Sequence, residues 1–458
     1  MEILPIVPFK KFRRAEITPP GSKSITNRAL LLAALRPGTT RISGALFSED
    51  TLTMVDCLRR LGFRVDADSS AKTLVVEGLG GEIPAARAEL FVANAGTAAR
   101  FLTAALALKK GGEYTLDGSP AMRKRPMDGL LAALAPLGAT FDFHGERGRF
   151  PFTMHTRGIF SDETAADARA SSQILSALML VAPVVASKTA RGLFDIFLKG
   201  ETVSAPFVEM TAKMISQFGG AVEIRGNRFT CGGGYRAGAL DYAVEPDATA
   251  ASYFLILPFI HRGGEIFVRG LKTDGLQGDA AFATTLATPP HDLLAFTQTD
   301  AGGLAATGAA TRGFDADFNA ISDTFLTLAA VAPLLDPAGA PLVIRGIAHT
   351  RGQETDRVAA MANELSKFVG AENVSQTQDS LTVRPVAREI LRARADASPD
   401  GKIRVATYRD HRVAMSFGAL GTFDLRGDGS PWLEIEDPAC CGKTFPEFFR
   451  VLGALGGN

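Results

Sequence analysis

One pattern constrains this chain of 458 residues more than any other: an apolar stretch of helical period that runs into a glycine, followed by two short strands. Met54, Leu58 and Leu61 lead to Gly62, then Val65 and Leu74-Val75-Val76. Leu130, Leu131, Leu134 and Leu137 lead to Gly138, then Phe141-Asp142-Phe143. Met210, Met214 and Phe218 lead to Gly219, then Val222-Glu223-Ile224 and Arg228-Phe229-Thr230. Met361, Leu365 and Phe368 lead to Gly370, then Val374 and Leu381-Thr382-Val383. Apolar residues at i, i+3, i+4 and i+7 give a helix one buried face, and a glycine after it supplies a left-handed stop. The intervals are 76, 81 and 151 residues, the last being two periods. A copy is therefore expected near residue 295, where 286–296 contains a Pro-Pro pair and reads as degenerate. A further 83 residues reach Gly453, expected to stop a sixth helix. The period exceeds that of ordinary solenoids, so the expectation is six compact α/β units grouped as two domains of three.

Composition narrows the function. Lys plus Arg and Asp plus Glu each number 49, and this neutrality argues against a nucleic-acid partner, which needs a basic surface. The most apolar run, Ile174–Ala186, is interrupted by Pro183 and is too short to span a bilayer. No basic segment followed by an apolar run opens the sequence, so no signal peptide is expected. Cys57, Cys231, Cys440 and Cys441 fit neither a disulfide framework nor a Cys-x-x-Cys metal pair. A soluble cytoplasmic protein with no membrane partner is the expectation.

Chemistry concentrates at helix starts. Pro20-Gly21-Ser22-Lys23-Ser24-Ile25-Thr26-Asn27-Arg28 precedes the apolar run Ala29–Leu35, placing two cations and hydroxyls where free N–H groups already favour an anion. A nucleotide P-loop would need Gly where Ser22 and Ile17 stand. Asn94-Ala95-Gly96-Thr97 opens another helix, with Arg100 one turn inside; Ser171-Ser172-Gln173 opens a third, Ile174–Val181. Arg123-Lys124-Arg125-Pro126 precedes a helix beginning near Met127. In the second half, Asp323 precedes the helix Phe325–Val331, Glu354-Thr355-Asp356-Arg357 and Asp410-His411-Arg412 begin helices, and Lys443-Thr444-Phe445-Pro446 is expected to open the last. Each feature has an ordinary reading: Ser24 or Asp323 as a simple N-cap, the basic triplet as a solvated loop. Their recurrence at so many helix starts of a neutral protein favours anion binding shared by both halves.

In this order the motifs Pro-Gly-Ser-Lys-Ser-x-x-Asn-Arg (20–28), Asn-Ala-Gly-Thr-Ala-x-Arg (94–100), Met-Arg-x-Arg-Pro (122–126), Ser-Ser-Gln (171–173), Glu-Thr-Asp-Arg (354–357), Asp-His-Arg (410–412) and Lys-Thr-Phe-Pro (443–446) resemble those of the 5-enolpyruvylshikimate-3-phosphate synthase family over nearly the whole chain. Leu276-Gln277-Gly278-Asp279 also looks like a segment of that family. The resemblance implies an enolpyruvyl transferase-like α/β fold of two domains, each holding three β-α-β-α-β-β units in an inside-out α/β barrel. They are expected at 21–240 and at 1–20 with 241–458, closing over the substrates at one interdomain cleft. It implies transfer of the enolpyruvyl group of phosphoenolpyruvate to the 5-hydroxyl of shikimate 3-phosphate, with release of phosphate, by a monomer needing no metal or organic cofactor. By the same resemblance Asp323 is the base toward the hydroxyl, and Glu354 with Lys23 are candidates at the methylene carbon. Lys23, Ser24, Arg28, Ser171, Ser172, Gln173, Ser204, Asp323, His349 and Gln353 would meet shikimate 3-phosphate. Lys23, Asn94, Gly96, Arg125, Gln173, Arg357, Arg412 and Lys443 would hold phosphoenolpyruvate.

The sequence departs from the family pattern at a few positions. Gln353 stands where a Lys usually precedes the Glu-Thr-Asp-Arg motif, and His349 where an Asn is common. Ala205 and Phe207 replace the Lys and Tyr of a Ser-Lys-Pro-Tyr segment, and Phe101 replaces a Pro. These changes leave open a different acceptor or a catalytically inactive anion-binding homologue. Asp323 and Glu354, both retained, favour an enzyme. The related UDP-N-acetylglucosamine enolpyruvyl transferases would use a cysteine in the loop 117–125, which has none.

Overall fold

A computed structural model describes residues 2–200, 205–289, 291–299, 302–308 and 312–457. The chain divides into two compact units, one formed by Gly21–Glu245 and the other by Met1–Pro20 with Pro246–Asn458.

Within Gly21–Glu245 three helices, Lys23–Leu35, Gly96–Leu106 and Ser172–Ala186, are buried along almost their whole lengths. Sequences such as Ala29-Leu30-Leu31-Leu32-Ala33-Ala34-Leu35 are apolar on every side, and a helix of that kind is stable only when surrounded. Three four-stranded sheets and the second helices Glu49–Arg60, Asp128–Leu134 and Ala205–Gln217 complete the unit. Each sheet follows one plan. Arg87–Phe91 pairs parallel with Lys110–Asp117 (Arg87 opposite Glu113), which pairs antiparallel with Phe152–Arg157, itself in a hairpin with Ala139–Phe143. Glu163–Ala166, Leu193–Leu198, Arg228–Gly232 and Ala221–Arg225 repeat it. In the remaining sheet the parallel strand comes from the far end of the unit: Leu240–Ala243 lies beside Pro37–Ser43, with Leu240 opposite Thr40.

The other unit repeats the design around the buried helices Ala248–Leu255, Phe325–Ala330 and His411–Gly421. Asp315–Asp317, Leu342–Arg345, Ser380–Val383 and Val374–Gln376 form a complete copy. The N-terminus supplies strands to the two others. Arg14–Ile17 runs parallel to Glu265–Arg269, and Ile3–Pro5 runs antiparallel to Leu433–Glu436. That last sheet has three strands rather than four.

Gly62, Gly138, Gly219 and Gly370 have φ values of 90°, 117°, 97° and 96°, the left-handed stops their positions require. The degenerate copy near 295 exists as the helix Ala281–Ala287 and the hairpin Leu294–Thr299 with Gly303–Gly308; its helix ends in extended backbone at Thr288 rather than at a glycine. One expectation needs correction: Gly453 lies inside the helix Phe448–Ala454 and stops nothing. No sheet of the described residues closes on itself; each ends in two edge strands, and buried helices supply the centre of each unit, in keeping with an inside-out arrangement.

Candidate active site

In the unit Gly21–Glu245 the starts of the three buried helices are tied together by polar side chains. Lys23, the first residue of its helix, forms an ion pair with Asp50 at 3.1 Å, and Asp50 is itself buried at the start of the neighbouring helix. Arg28, one turn on, is buried. It donates to Thr211 Oγ1 at 2.8 Å, to the Ser24 carbonyl at 3.1 Å, to the Phe207 carbonyl at 3.2 Å and to Ser176 Oγ at 3.3 Å. Ser171 caps the third helix by accepting from the Gln173 N–H, leaving Ser172 buried and Gln173 half-buried. The Gln173 amide then bridges to the second helix, accepting from Arg100 at 2.9 Å and donating to Thr97 at 3.4 Å. Arg100 also donates to the carbonyls of Gly96 and Pro126, so it fixes the loop that carries Arg125.

Gly96 lets the Arg125 guanidinium rest directly on the start of the helix: a Cβ at this position would lie 2.6 Å from Arg125 Nη1, and the arginine head would have to move aside. Of the basic triplet, Arg125 alone is turned to the cluster. Arg123 is exposed and pairs with Asp117, and Lys124 is exposed. Asn94 is half-buried in the turn before Gly96, whose N–H donates to the Asn94 carbonyl. Ser204 lies outside the described residues.

The other unit holds a network of three cations and three carboxylates. Arg357 begins the helix Arg357–Val369 and is 1% exposed. Its guanidinium donates from Nε to Asp410 at 2.8 Å, from Nη1 to Asp323 at 2.9 Å and from Nη2 to Glu354 at 2.8 Å. The Gln353 amide oxygen accepts from Nη1 as well. Arg412 donates to the second Asp323 oxygen at 2.7 Å, and Lys443 to the second Glu354 oxygen at 2.7 Å. Burial opposes the charge on Arg357, yet Asp410, Glu354 and Asp323 outweigh it and hold its pKa above the usual arginine value. Arg412 is shifted the same way: burial opposes its charge, and Asp323 leads the groups that overcome it.

Local sequence explains the placement. Asp356 and Asp410 are N-caps that accept from Ala359 N and Arg412 N, so Arg357 and Arg412 fall in first helical turns and Glu354 just outside one. Asp323 is not an N-cap; Thr324 takes that position, and both Asp323 oxygens face the arginines. Lys443 ends the 3₁₀ segment Pro438–Lys443 instead of opening the final helix, which begins at Phe448. His349 Nε2 lies 2.7 Å from Ser322 Oγ, and burial presses the imidazole pKa downward. Arg351, two residues before Gln353, does not stand in for the lysine absent there. Its guanidinium is held by Asp356, Gln376 and the carbonyls of Thr377 and Gln378.

Sequence reasoning did not assign Asp410, Asp50, Arg100 or Asp279. Asp410, Arg100 and Asp279 stand within quoted motifs and Asp50 outside them, but their part as partners of other side chains has no local signature. Asp279 accepts from Thr249 at the start of the helix Ala248–Leu255; burial, followed by the nearby Asp323, pushes its pKa up to about 7. Among the described residues no group of three or more His, Cys, Asp or Glu is placed to share a metal ion.

Fold and side chains together define a class: α/β proteins of repeated four-stranded units whose helix starts gather cations and carboxylates to handle a small anion. The model of one family within that class, EPSP synthase (3-phosphoshikimate 1-carboxyvinyltransferase), matches residues 11–452, and the chain belongs to this family. It is 46% identical to a 3-phosphoshikimate 1-carboxyvinyltransferase of Opitutus terrae, the match covering 99% of this chain and 97% of that one. A protein of the same name from Bordetella petrii is 41% identical, with coverage of 98% and 96%. The fold is that of a solved EPSP synthase from Acinetobacter baumannii, with a TM-score of 0.74 at 23% identity over 99% of this chain and 98% of that one.

Proposed function

We propose that the protein transfers the enolpyruvyl group of phosphoenolpyruvate to the 5-hydroxyl of shikimate 3-phosphate, releasing phosphate, a reading supported by relatives named 3-phosphoshikimate 1-carboxyvinyltransferase. The observation that carries this reading is the network in which Asp323 and Glu354 share Arg357 while Arg412 and Lys443 hold their second oxygens. Phosphoenolpyruvate carries a phosphate and a carboxylate. Entering this network, it exchanges for the protein carboxylates on Arg357, Arg412 and Lys443, and so releases Asp323 and Glu354 for proton transfer. Arginine suits the exchange because its planar fork accommodates either kind of anion.

The reaction then balances in two steps. The 5-hydroxyl oxygen bonds to C2 of phosphoenolpyruvate as Asp323 accepts the hydroxyl proton, and the C3 methylene takes a proton to become a methyl group. The tetrahedral adduct next breaks its C2–O bond to phosphate while C3 gives up a proton, restoring the double bond. Glu354 and Lys23 are the candidates for the exchange at C3. Lys23, Ser24, Arg28, Ser171, Ser172 and Gln173 hold the acceptor with His349 and Gln353, while Asn94, Gly96 and Arg125 join the arginines on phosphoenolpyruvate. The four free thiols suit a reducing cytoplasm, and a monomer suffices for the chemistry.

Exchange of the C3 hydrogens tests the role of Glu354. With shikimate 3-phosphate in heavy water, the wild-type protein should introduce deuterium into phosphoenolpyruvate. Glu354→Gln should slow both exchange and turnover about 10²- to 10⁴-fold, the usual contribution of a positioned acid–base group. Exchange at the wild-type rate in the variant would remove Glu354 from the proton path.

A further inference from the structure

Arg28 differs from Arg357 in what balances its charge. Arg357 is surrounded by carboxylates, whereas Arg28, also nearly inaccessible, makes no ion pair among the described residues. Its hydrogen-bond acceptors are two hydroxyls and two carbonyls, all neutral. A guanidinium taken out of water with neutral partners alone is poorly compensated, and burial draws its pKa down to about 9. What else faces it is aromatic. The guanidinium carbon lies 5.2 Å from the ring centre of Phe101 and 6.0 Å from that of Phe207. Phe101 is fully buried in the helix Gly96–Leu106, and Phe207 is half-buried in the first turn of Ala205–Gln217. Both rings are within the distance at which the negative face of an aromatic ring attracts a cation.

We propose that Phe101 and Phe207 are positioning residues that clamp the Arg28 guanidinium between two aromatic faces and thereby set how tightly the acceptor substrate is held. A carboxylate in their place would neutralise the cation and compete with the ligand for its N–H groups. Ring faces stabilise the charge without occupying an N–H; of the five N–H groups neutral acceptors take four, and one on Nη1 is left for the ligand. Thr211 contributes geometry, since its hydroxyl accepts from Arg28 Nε, donates to the Phe207 carbonyl at 2.7 Å and lies 3.0 Å from Ser176 Oγ. The two rings, on separate helices, thus hold the head of a side chain that springs from a third. The inference rests on the reading that Arg28 meets shikimate 3-phosphate.

The test compares Phe101→Leu, Phe207→Leu and Phe207→Tyr by steady-state kinetics with phosphoenolpyruvate and shikimate 3-phosphate. Leucine keeps apolar bulk without a ring, and tyrosine at the half-buried position keeps the ring with its hydroxyl able to reach water. Each leucine variant should raise KM for shikimate 3-phosphate about tenfold, with kcat and KM for phosphoenolpyruvate within about twofold of wild type. Phe207→Tyr should keep the wild-type KM, whereas a purely volumetric role would leave the leucine variant, with its apolar bulk, near wild type as well. Should Phe101→Leu fail to fold, the two variants at Phe207 decide the matter. Wild-type turnover with an unmoved acceptor KM in Phe207→Leu, or a tyrosine variant no better than leucine, overturns the clamp alone. No dependence of wild-type turnover on shikimate 3-phosphate overturns the clamp and the functional reading together.

Discussion

Asp410 is expected to do two separable jobs, and substituting it measures both. Its carboxylate caps the helix His411–Gly421 through the Arg412 N–H at 2.8 Å and pairs with Arg357 Nε at 2.8 Å, with the side chain wholly buried. Losing an N-cap costs about 1 kcal/mol. Removing one partner of a buried ion pair costs about 3–5 kcal/mol when the remaining charge is left uncompensated. Arg357 would retain Asp323 and Glu354, so the cost falls to the bottom of that range or just below it, at about 2–3 kcal/mol. Asp410→Ala should therefore cost about 3–4 kcal/mol. Asp410→Asn, which can still cap, should cost about 2 kcal/mol. Trp432, the only tryptophan in the sequence, is fully buried in the same unit with its indole N–H on the Phe423 carbonyl at 2.7 Å. Its fluorescence during urea unfolding reads the unit concerned. With a slope of about 2–3 kcal/mol per molar urea, the alanine variant should move the midpoint down by about 1–2 M and the asparagine variant by roughly half as much. If alanine costs no more than an ordinary surface change, about 0.5 kcal/mol, the network does not hold this unit together as argued.

Two further expectations concern charge. Gln353→Lys should lower KM for shikimate 3-phosphate severalfold by supplying a cation that Arg351 cannot; an unchanged KM would move position 353 away from the acceptor. Asp279 has a folded pKa of about 7, above the unfolded value of about 3.9, so the folded state holds its proton more firmly. The stability this gives is complete below pH ~4 and is lost as pH rises through 7. Asp279→Asn, a permanently neutral mimic, should match wild-type stability near pH 4 and exceed it progressively up to pH 8 in urea titrations. A difference that does not vary with pH would show that Asp279 is ionised throughout.

Much of this architecture is legible in the sequence because it is local. Apolar runs such as Ala29–Leu35 and Ile174–Ala186 mark buried helices, and the glycines at 62, 138, 219 and 370 mark where backbone must turn left-handed. Periodicity cannot separate a glycine that ends a helix from one within it, and Gly453 was misread for that reason. Nor does it show that the parallel strand of the first repeat comes from Leu240–Ala243, or that Arg14–Ile17 completes a sheet with Glu265–Arg269, since those pairings span some 200 to 250 residues. The site divides in the same way. Its cations stand in short motifs, most of them at helix starts, and can be picked out one by one. Their partners cannot: Arg357 meets Asp410 across 53 residues, and Lys443 meets Glu354 across 89. Only folding reveals that each cation of this network is already matched by a carboxylate, the observation on which the proposed exchange of anions rests.

Release of inorganic phosphate from phosphoenolpyruvate, measured with the purified protein in the presence and absence of shikimate 3-phosphate, tests the central claim most directly. Phosphate is expected in stoichiometric step with an enolpyruvyl ether of the acceptor, with only background release when the acceptor is omitted. Folded protein that releases no phosphate above background with both substrates at millimolar concentration would contradict it.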